Sequence, residues 1–345
     1  MHEHALRTIL FIQAVEDSDT KGELLPLAER EEATQSVAGG DGGVQEVFAD
    51  GLLTLAGERL LTRRALHLYE RLRLRAPIID QALAVAAGSG AADGLQAIAL
   101  LVGLLLAVLD GRGYIDILGW SILGLLAWNL FVYVLLVANW LRPRRWSGTG
   151  VASLYARWMG SRAGSVLKRS RSFNVPLAAA LPRFSTDWGA LSRNLVMQRA
   201  RRIFHVCAAL VAVGFIAGLF IRGLVLRDVA GWQSSFLGAG IVRACLKLLY
   251  APAAAILGIA LPSGVQDVAA LRVTDAGGGV APLAWLDLGT LTVTLYIIAP
   301  RLLAAALAGV RLWIIARRMT VPASVVPYAR RILPAARAGL AGSPL

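Results

Sequence analysis

Cysteine is almost absent: Cys207 and Cys245 are the only two in 345 residues. Their separation fits neither a metal-ligand spacing nor a disulfide framework. Histidine is nearly as scarce. His2 and His4 open the chain, His67 lies in an arginine-rich stretch and His205 near the start of an apolar run, and none has an acid at ligand spacing. No Gly-Lys-Ser/Thr loop occurs. Gly88-Ser89-Gly90 with Gly94 has the wrong spacing for a dinucleotide turn and follows no strand-like run. The expectation is therefore a non-enzymatic protein without metal or cofactor. Acids are also few, 22 against 35 basic residues, for a net charge of +13. Residues 1–30 hold acids where a signal peptide needs a basic start and an apolar stretch, so the N-terminus is expected to stay in the cytoplasm.

What is abundant is apolar surface. Hydrophobic residues make up 57% and charged ones 17%, against roughly 45–50% and 25% in soluble domains. The charges crowd between the apolar runs, which is the pattern of membrane spans and loops. Four runs approach the roughly 20 apolar residues that cross a bilayer. They are Leu95–Leu109, Ile115–Leu141, Ile203–Leu226 and Ala284–Ile315. The first is short; the last is long enough to tilt. Phe236–Leu261 is apolar but interrupted by Arg243, Lys247 and Pro252. Its unbroken remainder from Leu248 reads as interfacial or re-entrant rather than spanning.

Charge sets the orientation. Arg142–Arg202 holds thirteen Lys or Arg and one acid, Asp187, and the tail after Val310 holds six arginines and no acid. The positive-inside bias puts both in the cytoplasm. The expected organisation is a partly helical cytoplasmic region at 1–91, a transmembrane hairpin at 92–141 and a basic cytoplasmic loop at 142–202. Span three follows at 203–226, an extracytoplasmic segment at 227–283, span four at 284–315 and a basic cytoplasmic tail at 316–345. This is an all-α integral membrane protein with about four transmembrane helices and an extracytoplasmic helical cap between spans three and four. Both termini are expected inside, in a bacterial inner membrane. The basic block points to anionic lipid as a contact, not nucleic acid, because it sits directly beside spans.

Residues 1–50 carry eleven acids against three basic residues and the glycine cluster 39–43, which no long core element runs through. From Val44 to Arg75 apolar residues recur at three or four, an amphipathic helix. Arg59, Arg63, Arg64, Arg71, Arg73 and Arg75 line its second half. Three uses fit it: lying on a membrane surface, packing in a helical bundle, or holding a partner. Arg63, Arg64, Arg71 and Arg75 are the candidate lipid or partner contacts.

Within the spans, small residues repeat every four positions: Ala99, Gly103 and Ala107; Gly214 and Gly218; Ala305 and Gly309. Such steps let helix backbones approach in lipid. The polar residues Asp116, Asn129, Asp287 and Arg301 are costly there and point to contacts inside the bundle. Pro300 has no N–H to give the carbonyl of Tyr296, and Arg301 is the adjacent donor. Asn129 and Arg301 lie at similar depths below Asp116 and Asp287, about 20 Å at 1.5 Å per residue. Asn129, Tyr296, Pro300 and Arg301 are thus a candidate intramembrane contact, either polar glue between helices or a relay. Trp232, just past span three, is the candidate interfacial anchor.

Val229-Ala230-Gly231-Trp232-Gln233-Ser234-Ser235-Phe236-Leu237 and Tyr296-Ile297-Ile298-Ala299-Pro300-Arg301-Leu302-Leu303 resemble the two most characteristic stretches of a family of bacterial inner-membrane proteins catalogued as a domain of unknown function. The resemblance runs from about Ala28 to Met319. Where this chain has Gln233 the family commonly has glutamate. Members are often encoded beside a small GTPase, which the resemblance implies as a cytoplasmic partner; no catalytic residue is carried over. The leading expectation is a membrane anchor or receptor for a cytoplasmic partner. The alternative is a subunit of a channel or transporter, which with four spans requires homo-oligomers to enclose a path.

Overall fold

The computed structural model describes residues 3–38, 47–49, 52–86, 92–109, 113–141, 175–226, 228–274 and 277–341. Among the described residues the fold is mostly helical, 77%, and three helices there are long and apolar enough to cross a membrane by length and composition. It divides into two compact units, one formed by residues 1–90, 150–200 and 309–345, the other by 91–149 and 201–308.

The first unit contains α1 (Glu3–Ser18), α2 (Leu27–Ala38), the short antiparallel pair β1 (Phe48–Ala49) and β2 (Leu52–Leu53), α3 (Leu55–Arg75) and α4 (Ile78–Ala86). Three sequence features shape α3. The Thr54 hydroxyl accepts the Gly57 N–H at 3.2 Å as an N-cap. Leu61, Ala65, Leu68 and Leu72 form its buried stripe. Pro77 then keeps Ala76 out of the helical region, at φ −140°. That stripe joins a core with Leu6, Phe11, Leu25, Leu177, Phe184, Trp188, Val325 and Tyr328.

Between α1 and α2 the chain turns around one side chain. The buried Asp19 carboxylate accepts the N–H groups of Glu23, Leu24 and Leu25 at 2.8–3.0 Å and pairs with Arg30 at 3.0 Å. Burial alone would raise its pKa; the three backbone donors and Arg30 outweigh that and hold it below the ordinary carboxylate value. A carboxyl whose folded pKa is depressed contributes stability that is present above its unfolded pKa of about 3.9 and is lost as pH falls through the folded value. Acid denaturation followed by helical circular dichroism is expected to show a component below about pH 4 that Asp19→Asn removes, with Asp19→Asn less stable than wild type at pH 7.

The helix α7 (Val175–Val225) has residues 175–200 in the first unit and 201–225 in the second. Of the segment expected as a basic loop, 142–202, the described part, 175–202, is helical. The reason is a stripe hidden by charge. Leu177, Leu181, Phe184, Trp188 and Leu195 recur at helical spacing and are buried. Residues 142–174 lie outside the described residues.

The second unit contains α5 (Ala92–Val108), β3 (Tyr114–Asp116), α6 (Trp120–Leu141), β4 (Val229–Gly231), α8 (Ala239–Leu257), α9 (Val265–Ala270) and α10 (Leu283–Val293). A π-helical turn, Thr294–Ile298, leads into α11 (Ala299–Arg317); α12 (Val325–Ala341) closes the first unit. On α5 and α7 the small residues meet. A Cβ on Gly103 would lie 2.0 Å from the Val211 carbonyl oxygen, and one on Gly214 2.1 Å from that of Leu100. Only glycine permits this backbone contact.

Strands β3 and β4 pair in parallel, Ala230 bridges to Val280, and Trp232 bridges to Arg272. The turn before α6, the segment after α7 and the chain after α9 therefore share one small sheet. Asp116 lies in that sheet rather than in a span, because its carboxylate accepts the Leu118 N–H at 3.1 Å and turns the chain into α6. The expected span from Ile115 thus becomes a strand and then a helix from Trp120. Below the sheet Arg222, 4% exposed, pairs with Asp228 at 2.6 Å and donates to the Tyr114 carbonyl at 3.3 Å.

The segment 236–261 also departs from expectation. Arg243 and Lys247 do not break it: α8 is a continuous 19-residue helix, long and apolar enough to cross a membrane. Both cations sit away from its buried stripe of Val242, Leu246, Tyr250, Ala253 and Ala254. Gly258, at φ 68°, ends it in the left-handed conformation that glycine adopts without strain. Non-helical residues 258–263 then return along it, so that Arg243 donates to the Ser263 carbonyl at 2.8 Å. By contrast α5 has 17 residues, about 26 Å at 1.5 Å per residue, short of a full hydrocarbon thickness.

Candidate functional site

Two buried polar clusters stand out, one in each unit. In the second, Pro300 leaves the Tyr296 carbonyl without its helical donor, and the preceding π-turn widens the backbone there. The Tyr133 hydroxyl donates to that oxygen at 3.0 Å. One residue past the proline, Arg301 turns inward, 4% exposed. Its Nε donates to Asn129 Oδ1 at 2.8 Å, its Nη1 lies 3.4 Å from His205 Nδ1, and its guanidinium carbon is 5.1 Å from the centre of the Tyr133 ring. The structure thus brings Asn129, Tyr296, Pro300 and Arg301 to one place. Sequence reasoning missed Tyr133 as the donor to Tyr296, although it lies one turn beyond Asn129 on the same face, and missed that His205 joins them.

In the first unit Arg64, 3% exposed, forms a bidentate pair with Glu16, at 2.7 and 3.2 Å. Its Nε donates to Thr34 Oγ1 at 2.8 Å and its Nη1 to the Tyr328 hydroxyl at 2.9 Å. That hydroxyl donates in turn to Glu16 at 2.6 Å. Burial, with Glu16 beside it, pushes the Tyr328 pKa well above its ordinary value, so the hydroxyl keeps its proton and remains a donor. The cluster floors a cleft of about 500 Å³ whose rim carries Asp17, Arg30, Glu31, Gln35 and Arg331.

This geometry revises the arginine face of α3. Arg64 is a core residue and not a surface contact. It occupies the same face as Leu61, Ala65 and Leu68, and four hydrogen bonds to three polar partners satisfy its guanidinium. Arg71 makes two bonds of 2.8 Å to Glu32, and Arg75 pairs with Glu29 and donates to the Leu24 carbonyl at 2.8 Å. The acids of α1 and α2 therefore already engage three of the four expected contact residues. Among the described residues Arg63 alone of the four is exposed without such a pair, beside exposed Arg59, Leu55 and Leu66.

Trp232 is likewise corrected. It is 2% exposed, packed with Val242, Leu246 and Leu271, and its indole N–H donates to the Val268 carbonyl at 2.8 Å. A ring whose polar edge is satisfied inside the protein is not an anchor at a lipid–water boundary. Next to it, Gln233 accepts from the Tyr114 hydroxyl at 3.2 Å, an interaction in which a neutral amide suffices.

Among the described residues no group of three or more His, Cys, Asp or Glu is arranged to hold a metal ion. Compared with protein-family models, with curated proteins and with solved structures, the chain matches none.

Proposed function

We propose that the chain is a multi-pass anchor of the bacterial inner membrane, of the family its two motifs resemble, which presents a folded helical unit to a cytoplasmic partner. What carries the reading is the contrast between the two units. The second exposes large apolar side chains along whole helices, including Leu100–Val102 on α5, Leu130, Phe131 and Val134–Val137 on α6, and Leu302, Leu303 and Leu307 on α11. Exposure on that scale fits lipid and not water. The first unit buries its own core and surrounds a polar cleft, as a water-facing domain does.

In this reading α5, α6, the 201–225 part of α7, and α10 with α11 cross the bilayer. Helix α8 stays outside as part of a cap, because residues 258–263 return beside it without helical hydrogen bonding, which hydrocarbon does not tolerate. Its two cations and the sheet contacts on either side of it support the same assignment. The segments 1–90, 150–200 and 309–345 then face the cytoplasm, in keeping with the basic excess of the second and third of them.

The partner class implied by the resemblance is a small GTPase. The surface left for it, or for anionic lipid, is the exposed face of α3 with Arg59 and Arg63. Charge reversal there, Arg59→Glu with Arg63→Glu, is expected to leave this protein in the membrane while lowering the membrane-bound fraction of the neighbouring GTPase several-fold in sedimentation from cell lysates. A GTPase whose membrane-bound fraction is the same in wild-type cells and in cells lacking this protein overturns the anchor reading, leaving the channel-subunit alternative.

A further inference from the structure

Among the described residues three arginines are buried to the same degree, and two of them meet a carboxylate: Arg64 meets Glu16 and Arg222 meets Asp228. Arg301 is the third, and it forms no salt bridge among the described residues. Its neighbours are an amide oxygen, an imidazole nitrogen and an aromatic face, which orient the guanidinium without cancelling its charge. Further positive charge lies close by: Arg201 and Arg202 precede His205 by one turn of α7. A desolvated cation lacking a counter-charge costs several kcal/mol, and lipid tails supply nothing to offset it.

The backbone around Arg301 is irregular in the way of a built site. The π-turn and Pro300 forgo regular helical bonding, and a tyrosine hydroxyl restores what they lose. Asn129 accepts from Nε and His205 Nδ1 lies 3.4 Å from Nη1; a guanidinium has five N–H groups, and those these two neighbours do not take can be given to an oxyanion oxygen.

We propose that Arg301, oriented by Asn129, His205 and Tyr133, binds a phosphate-class oxyanion in the interior of the membrane-embedded unit. This goes beyond the anchor reading and does not depend on the identity of a cytoplasmic partner. The phosphate comes either from the headgroup of an anionic phospholipid drawn between the helices or from a soluble ion.

The experiment uses the full-length purified chain in two arms. In the first, protein delipidated in neutral detergent and reconstituted in nanodiscs of phosphatidylcholine with a minor share of phosphatidylglycerol is extracted, and co-purifying phosphatidylglycerol is measured by native mass spectrometry. In the second, radiolabelled inorganic phosphate is titrated into nanodiscs of phosphatidylcholine alone. Retained phosphatidylglycerol assigns the headgroup, and saturable phosphate binding assigns the free ion. In whichever arm is positive, Arg301→Gln is expected to lower binding about tenfold or more. Arg301→Lys, which keeps the charge, retains most of it, and Lys247→Gln, at an exposed cation on α8, leaves it unchanged. Equal binding by Arg301→Gln overturns the proposal, as does wild type that binds neither probe, and this second outcome decides the matter even if Arg301→Gln fails to insert.

Discussion

Arg64→Ala is expected to cost about 3–5 kcal/mol and to unfold the first unit. Truncation leaves the Glu16 carboxylate buried with Tyr328 as its remaining partner and deprives Thr34 of its donor. An uncompensated buried charge, not the lost attraction, sets that magnitude, and it is a large share of the roughly 5–15 kcal/mol that holds a domain folded. Two comparisons isolate the cause. Arg71→Ala breaks a pair whose partners are 28% and 62% exposed, so solvent screens it and it is expected to leave the denaturation midpoint nearly unchanged. The double replacement Glu16→Met with Arg64→Met removes both charges and is expected to recover most of the loss. Fluorescence of Trp188, which lies in the same core, reports on the unit during denaturation of the full chain, against a background from the other eight tryptophans. A double replacement as unstable as Arg64→Ala would refute the argument from unpaired charge.

Gly214→Leu is expected to separate α5 from α7. Even a Cβ at this position would lie 2.1 Å from the Leu100 carbonyl oxygen and 2.9 Å from the Leu104 nitrogen. Backbone atoms cannot yield as a flexible side chain does. The cost is therefore expected at or above the upper end of overpacking penalties, about 3 kcal/mol. Gly189→Leu, where the added Cβ meets nothing within 4 Å, is the matched control on the same helix. A cysteine pair at exposed sites on α5 and α7, close enough to cross-link in wild type, measures the separation: cross-linking is expected to fall with Gly214→Leu and to persist with Gly189→Leu. Unchanged cross-linking in Gly214→Leu would show that the helices do not meet at these glycines.

Much of the architecture was legible because lipid and helix impose local rules. A run of about 20 apolar residues in hydrocarbon has to satisfy its own backbone, so the helical character of the regions around 95–109, 203–226 and 284–315 follows from composition alone. Steps of small residues at Gly103 and Gly214 marked faces that need close approach. Pro300 beside Arg301 marked a carbonyl without a donor and a charge in need of company. In each case the information lies within a few turns of chain.

What only the tertiary structure decided is which surface covers which. Arg63 and Arg64 are neighbours in sequence, yet one is exposed and the other is buried against Glu16, 48 residues away, and Tyr328, 264 away. The stripe of Leu61, Ala65 and Leu68 shows that position 64 faces a core, but not that a carboxylate waits there. Likewise Trp232 and α8 are apolar enough for lipid, and an apolar pattern is the same whether lipid or protein will cover it. Burial of apolar surface is favourable without being directional, so sequence determines how much surface has to be covered and along which face of each helix. The identity of the covering partner depends on which distant hydrogen bonds, ion pairs and backbone contacts can all be satisfied at once, and those are fixed only when the segments come together.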